Sequence, residues 1–211
     1  MAYFAKYEIM VGIKRCTLQS AQMNRAMSAS RGPTLWRTSR VLANRKRLQI
    51  LALLIWQPNQ TVSTVARQVR LSLPAASQYL RALESRGLLT CRRIGRRVEY
   101  RPAAATTEGA AGEILTALRL VFCRKAQPID ALFKLATAFT HPRRVEVFRA
   151  LKGGPASFAK LQAATHISAR GLSRHLAKLE ARGFVKLETD GYAATPQAHP
   201  FGGVLARLAS Q

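Results

Sequence analysis

One segment of nineteen residues occurs twice in this chain, and the two copies lie 96 positions apart. Residues 71–89 read LSLPAASQYLRALESRGLL, and residues 167–185 read ISARGLSRHLAKLEARGFV. A repetition at a fixed spacing is typical of a duplicated structural module, so a fold with two similar halves is predicted. The identical positions are Ser72/Ser168, Ser77/Ser173, Leu80/Leu176, Leu83/Leu179, Glu84/Glu180, Arg86/Arg182 and Gly87/Gly183.

The charge of the chain is strongly positive and unevenly distributed. The 211 residues include 34 Lys and Arg against 10 Asp and Glu, which gives a formal net charge of +24. Residues 34–103 hold 14 basic and 2 acidic residues, whereas residues 128–211 hold 12 and 5. Such an excess favours a polyanionic partner, because binding releases counterions. By itself the charge does not distinguish DNA from RNA or from an anionic membrane.

Length and cysteine use set further bounds. A chain of this length suits two small domains, and its 48% of hydrophobic residues supplies two modest cores. Cys16, Cys91 and Cys123 lie far apart, so neither a disulfide framework nor a paired zinc motif is expected. No apolar run approaches the roughly 18 residues of a membrane span, and no signal-peptide pattern opens the sequence. We expect a cytoplasmic protein.

The hydrophobic periodicity of residues 34–103 predicts four helices followed by a hairpin. Two amphipathic helices come first, over residues 34–43 and from about Arg45 to a stop at Pro58. A short helix capped by Ser63 and a longer helix capped by Ser72 follow, and the longer one stops at a glycine. The next residues form two strands around an Ile94-Gly95 turn. The expected inward side chains are Leu48, Leu51, Leu54, Ile55, Val65, Ala66, Val69, Ala76, Leu80 and Leu83.

The second half repeats these steps. Helices are predicted over residues 129–139, 143–151 and 158–164, and a fourth is capped by Ser168. A hairpin turning at Asp190-Gly191 and a closing helix over 200–210 complete this half. Residues 108–124 carry apolar residues at helical spacing and are assigned as the closing helix of the first half. The predicted fold class is mainly α with small β-hairpin wings, arranged as two tandem winged helix-turn-helix domains over 34–126 and 127–211.

Residues 1–33 do not fit either half. Their odd positions from Tyr3 to Ile13 alternate like a strand face, but no partner strand follows. We expect a basic N-terminal tail that is either disordered or the product of a misassigned start, since Met27 leaves both copies intact.

The sequence resembles the ArsR-type family of bacterial winged-helix regulators in both halves. LFKLATAFTHPRRVEVFRAL at 132–151 and WRTSRVLANRKRLQILALL at 36–54 resemble the opening segment of that family. LSRHLAKLEARGFV at 172–185 and AASQYLRALESRGLL at 75–89 resemble its DNA-reading helix and exit turn. Related families such as MarR share this outline. The resemblance implies double-stranded DNA as partner and a homodimer, or here an intrachain pseudo-dimer, formed through first and last helices.

Metal sensing, which is common in that family, is not expected here. The short helix of each half contains no cysteine, and no two histidines lie at a metal-binding spacing. We therefore predict no cofactor and no metal, and assign the histidines to helix caps and DNA contacts. Cys91 precedes two arginines, so a redox switch through a lowered thiol pKa is an alternative to a small buried hydrophobe. No residue set supports an enzyme.

The candidate DNA contacts are polar side chains on the two reading helices and basic side chains in the first wing. A reading helix presents such groups to base edges in the major groove, and arginines at a loop tip enter a minor groove or hold phosphates. The second wing carries Glu188 and Asp190, which repel the DNA backbone. The predicted contacts are Ser72, Pro74, Ala75, Ser77, Gln78, Arg81, Arg92, Arg93, Arg96, Arg97, Arg170, Ser173, Arg174, His175 and Lys178.

Two functions are consistent with these features. The first is a DNA-binding transcriptional regulator, a nucleoid-associated repressor that reads DNA with two recognition helices. The alternative is a winged-helix scaffold that binds protein partners or RNA. The basic character together with an intact reading-helix face favours the first.

Overall fold

The first half of the chain forms four helices and a three-stranded antiparallel sheet. The computed structural model describes residues 34–104, 109–123 and 129–211, so the expectations for residues 1–33 lie outside the described residues. The helices are Leu35–Leu42 (α1), Arg45–Trp56 (α2), Val62–Val69 (α3) and Leu73–Glu84 (α4). The strands are Gln60–Thr61 (β1), Leu89–Ile94 (β2) and Arg97–Pro102 (β3), in the order β1-β3-β2.

The remaining elements begin with a helix that precedes the second half. The helices are Ala110–Cys123 (α5), Ile129–Ala136 (α6), Pro142–Ala150 (α7), Phe158–Thr165 (α8), Ala169–Glu180 (α9) and Pro200–Ala209 (α10), and Thr137–Phe139 is a 3-10 turn. Strands Val185–Glu188 (β4) and Gly191–Ala194 (β5) form a two-stranded sheet. The described chain is thus mainly helical with small antiparallel sheets, as predicted. None of its helices is long and apolar enough to cross a membrane.

Side chains and backbone caps at repeated positions set the helix ends in both halves. Each N-cap hydroxyl accepts a hydrogen bond from a backbone N–H in the first helical turn, which satisfies a donor that the helix itself leaves unpaired. The predicted caps Ser72 and Ser168 are confirmed, with Oγ to N distances of 3.4 and 3.3 Å. The pairs that share a role are the N-caps Thr61/Ser157 and Ser72/Ser168 and the left-handed C-caps Arg70/His166.

Both longer helices end in the same glycine turn. Gly87 and Gly183 have φ values of +69° and +76°, a region that glycine adopts without a Cβ penalty. The next amide then returns to the helix: Leu88 N donates to Leu83 O at 3.1 Å, as its counterpart does in the second half. A strand therefore begins immediately after each helix.

The two hairpins differ in length. β2 and β3 pair over six residues each, from Leu89↔Pro102 to Ile94↔Arg97, whereas β4 and β5 pair over four. Each hairpin is also joined to the segment before the short helix, through β1 in the first half and through an Ala156↔Tyr192 bridge in the second. The first wing consequently extends further from its helices.

The two halves pack against each other through corresponding elements. α5 packs on α10, and α1 packs on α6 and the 3-10 turn. The predicted apolar face of α5, which includes Ile114, Leu115 and Leu118, is buried. Leu35–Gln211 accordingly forms one compact unit. A division at residues 126 and 127 stays a prediction, because residues 124–128 lie outside the described part.

The N-cap predicted for the third helix was wrong. α3 starts at Val62, and Thr61 caps it by accepting a hydrogen bond from Thr64 N at 3.3 Å. Ser63 lies within the first turn and is exposed. The cause is tertiary, because β1 pairs Thr61 with Glu99 and fixes an extended conformation just before the helix.

Both predicted hairpin turns were displaced by one residue. Strand β2 continues through Ile94, so the first turn consists of Gly95 and Arg96. In the second hairpin β4 ends at Glu188, and the turn residues are Thr189 and Asp190. The complete cross-strand pairing determines these positions, and it involves residues that a local turn pattern does not include.

One buried position in α2 was not predicted. Ile50, on another side of the helix from the predicted face, is fully buried, while the predicted Ile55 is partly buried and packs against the core. α2 packs on the helices of its own half and also on α6 of the second half. A helix covered from two directions buries more than the single apolar stripe that its sequence displays.

A substitution at Gly191 tests the attachment of the second wing. Its φ is +128°, and a Cβ there would lie 2.5 Å from the backbone oxygen of Ala156. We expect Gly191→Ala to lower the free energy of unfolding by ~2–4 kcal/mol, since it combines backbone strain with a clash against main chain. Gly153→Ala is the control, because its Cβ would meet open space. Equal denaturant midpoints for both variants would contradict the prediction.

Candidate nucleic-acid interface

Helix α4 has one buried face and one exposed polar face. Ala76, Leu80 and Leu83 point into the core, while Gln78 and Arg81 are exposed. The predicted contacts Ser72 and Pro74 are also exposed, whereas Ala75 and Ser77 are half-buried. Arg81 Nη2 donates to Ser77 Oγ at 2.9 Å, which holds the guanidinium along the helix surface.

The first wing presents arginines to solvent on both strands. Arg92, Arg93, Arg96 and Arg97 are all exposed, and none forms an ion pair with a residue in the described ranges. Ile94, next to the turn, is 47% exposed. Unpaired guanidinium groups around an apolar tip are suited to contact phosphates and the floor of a minor groove.

A groove of about 590 Å³ lies between the start of α3, the start of α4 and the first wing. It joins the exposed end of the reading helix to the wing arginines, so that these predicted contacts share one surface. The sequence analysis did not predict Thr61, Ser63 and Thr64 as DNA contacts, because no periodicity in this segment indicates DNA binding. The residues that line the groove are Thr61, Val62, Ser63, Thr64, Leu73, Arg96, Arg97 and Val98.

Helix α9 carries a more basic exposed face than α4. Arg170, Ser173 and Arg174 are exposed, and Leu172 and Leu176 on the other side are buried. The exposed groups follow the capping serine within two turns, where a reading helix contacts base edges. Ser77 of α4, in contrast, already accepts a hydrogen bond from an arginine.

His175 and Lys178 lie on a different flank of α9 from the exposed arginines. Both are half-buried, and the rings of His175 and His141 are 5.0 Å apart between centroids. Further along this flank, Arg182 Nε donates to Thr137 Oγ1 at 2.7 Å. The flank thus faces α7 and the 3-10 turn, which the helical spacing of the sequence did not indicate.

The electrostatic environment of this flank opposes further positive charge. Burial, His141 and Arg144 lower the pKa of His175, and burial and Arg144 lower the pKa of His141. The pKa of Lys178 is also lowered, first by burial and then by Arg182 and Arg144. An approaching phosphate would relieve this repulsion.

The second wing holds one basic and two acidic residues. Lys186 Nζ lies 2.5 Å from Glu188 Oε1, and Asp190 is exposed in the turn. Its basic charge is therefore compensated within the strand. Leu187, on the same strand, is 61% exposed.

Cys91 is exposed, so the expectation of a small buried hydrophobe was wrong, and the thiol is not activated either. Its hydrogen bond to Glu84, followed by burial, raises the pKa of the thiol, and Arg93 opposes this only weakly. The proposed lowering by neighbouring arginines was therefore wrong. In the part of the chain that the structure describes, no three His, Cys, Asp or Glu side chains cluster in a way that could hold a metal ion.

Comparison with known proteins agrees with this geometry. Residues 44–90 match the family described as winged helix-turn-helix DNA-binding, and residues 134–207 match the HVO_A0261 N-terminal domain. The chain is also similar to the HTH-type transcriptional regulator Rv0324 of Mycobacterium tuberculosis, with 45% identity over 67 residues. That alignment covers 32% of this chain and 29% of the relative.

The class of protein follows from the fold and this match together. Residues 44–90 include α2, α3 and α4, which form the helical part of the matched domain. The chain therefore carries a winged helix-turn-helix DNA-binding domain.

Lowered histidine pKa values predict a pH dependence of stability. The pKa values of His141, His175 and His199 all lie below the ordinary 6.5, with burial as the largest cause. Between the folded and ordinary values the unfolded chain binds more protons, so stability is complete above about pH 6.5 and falls as the pH drops below it. Thermal melts at falling pH should show a decreasing Tm.

The same thermal melts on variants identify which side chain causes the fall in Tm. His175→Gln should reduce the fall in Tm with falling pH, because it removes one histidine whose protonation the folded state disfavours. Ser173→Ala removes an exposed side chain of the same helix that does not titrate, and should leave the slope as in the wild type. A His175→Gln slope equal to that of the wild type would contradict the prediction.

Proposed function

We propose that this protein is a transcriptional repressor of the ArsR type that binds double-stranded DNA with both halves of one chain. The observation that carries the proposal is the recurrence of a serine-capped, exposed polar helix in each half, at α4 and at α9. The regulator named above, which is similar over part of its length, supports a role in transcription. We place its action on chromosomal DNA in the cytoplasm.

The repeated turns support an equivalent role for the two helices. α3 and α8 end in left-handed residues at corresponding positions, and α4 and α9 begin two residues later at capping serines. The angle at which each longer helix leaves its short partner is fixed by these turns. A helix-turn-helix depends on that angle to place its second helix in the major groove.

Pairing of like elements supports an intrachain pseudo-dimer. α5 packs on α10, and α1 packs on α6, so each element meets its own counterpart. Such an arrangement is the single-chain equivalent of an isologous dimer interface. Ion pairs join the halves at Arg45–Asp130 and Glu113–Arg207, but they are exposed and add little to the packing.

The two halves have unequal roles in this proposal. The first combines its helix with an arginine-rich wing, and that wing supplies affinity through phosphates and the minor groove. The second has a wing with more acidic than basic residues and relies on its helix, where Arg174 is suited to pair with guanine. Gln78 in the first helix is suited to pair with adenine. The two half-sites should consequently differ in sequence.

Neutralising the first wing should weaken binding to all DNA sequences alike. Replacing Arg93, Arg96 and Arg97 with Ala is expected to flatten the slope of log affinity against log salt by up to about 3, since each lost phosphate contact removes about one unit. Fluorescence anisotropy over a salt series measures this slope. Replacing the same three residues with Lys is the control, because the charge is kept. If the Ala variant kept the wild-type slope, the wing would not contact phosphates.

Changing one residue in each reading helix should affect different half-sites. Arg174→Ala and Gln78→Ala are each expected to cost ~1–3 kcal/mol at one half-site only, where the bidentate base contact is lost. The half-sites should lie about 34 Å apart in an imperfect palindrome. Selection from random DNA followed by footprinting locates both effects. A perfect palindrome, or loss of the same half-site in both variants, would instead indicate that two chains dimerise and one helix reads DNA.

A further inference from the structure

A groove of about 450 Å³ lies between α7 and α8 in the second half, on a side of α8 that the interface described above does not use. Two arginines and one glutamate from α7 form one wall, and small side chains form the other. Its size falls within the range of small-molecule sites. The lining residues are Arg143, Glu146, Arg149, Ala150, Ala164 and Thr165.

The corresponding position in the first half is filled differently. Asn44 and His141 are the N-caps of α2 and α7, which sets a spacing of 97 residues between these helices. At this spacing Leu53 of α2 corresponds to Ala150 of α7, and Ala52 corresponds to Arg149. At these two adjacent positions the second half therefore has a methyl group in place of a large apolar side chain, and a guanidinium in place of a methyl group.

The wall that α8 forms also has a smaller side chain than its counterpart in the first half. Gln68 in α3 corresponds to Ala164 in α8 at the 96-residue spacing of these helices. In the first half, Lys46 Nζ also donates to Val69 O at 2.8 Å and links the two helices across this position. Arg143, the counterpart of Lys46, instead pairs with Glu146 Oε2 at 2.8 Å on its own helix. The second half therefore leaves open the space that a lysine bridge spans in the first.

The charges define the ligand chemistry. Arg143 is compensated by Glu146, whereas the side chain of Arg149 is exposed and has no ion pair within the described ranges. The Thr165 hydroxyl cannot donate its hydrogen to a ligand, because it donates to Leu161 O at 2.7 Å. One free guanidinium beside two alanine methyl groups suits a carboxylate joined to a small apolar body.

We propose that this groove binds a small organic monocarboxylate and that its occupancy changes DNA affinity. α8 continues through the left-handed residue His166 and the cap Ser168 directly into α9. A ligand that contacts both α7 and α8 therefore influences how α9 is presented. Ligand binding is inferred from the groove alone, whereas the change in DNA affinity rests on the proposed function.

Binding is tested on the free, full-length protein by NMR titration with benzoate, with benzyl alcohol as the neutral isostere. We expect saturable shifts of the amides of Ala150, Ala164 and Thr165 with benzoate, and at least tenfold weaker binding of benzyl alcohol. Arg149→Ala should weaken benzoate binding at least tenfold, because it removes the free guanidinium.

A double variant copies the first half into the second. Ala150→Leu with Ala164→Gln should fill the groove and abolish the benzoate shifts, while Ala159→Gln, on an exposed position of α8, should leave them intact. Circular dichroism melts check that the variants remain folded. Benzoate shifts that persist in the double variant, or no saturable shifts in the wild type, would overturn the site.

The DNA effect has a separate readout. Saturating benzoate should change the affinity of the wild type for its selected DNA site at least threefold and leave the groove-filled variant unchanged. Benzoate binding without a change in DNA affinity would overturn the coupling, while a protein that binds benzoate but no DNA would overturn the proposed function instead.

Discussion

The packing of α5 against α10 is the contact on which the remaining structure depends. Helix α5 buries residues around most of its circumference, including Ile114, Leu115, Leu118 and Val121. One side of it meets α1 and α2 of its own half, and another meets the last helix of the chain. A helix with so much apolar surface is stable in water only between two partners. This requirement holds both halves in one compact unit.

That single unit gives the two polar helices a fixed relation. If each half were an independent domain on a flexible linker, α4 and α9 would reach DNA separately and the entropy of ordering the linker would reduce affinity. Buried contacts of α1 and α2 with α6 and the 3-10 turn reinforce the connection. An arrangement that other winged-helix proteins achieve by association of two chains is, in our proposal, present before DNA is encountered. The affinity for DNA then does not depend on the protein concentration at which two chains would dimerise.

The two halves need not be identical, because they belong to one chain. A homodimer must carry the same residue on both sides, whereas this chain has a long arginine wing in one half and a short wing with more acidic than basic residues in the other. The second half also has Ala150 and Ala164 at the positions that correspond to Leu53 and Gln68 of the first. In the proposed scheme one half binds the DNA backbone strongly and the other combines base readout with a ligand groove. Such a division of roles requires two different copies within one chain.

Local sequence determined the helices, their serine caps and the glycine turns, because these depend on residues within one or two turns of each other. Ser72, Ser168, Gly87 and Gly183 were located correctly for that reason. Tertiary structure decided what depends on distant partners. The cap of α3 is Thr61 because β1 pairs with β3, and Ile50 is buried although it lies outside the apolar stripe that the sequence displays. His175 faces His141 across an interface between α9 and α7 that no spacing within one helix encodes.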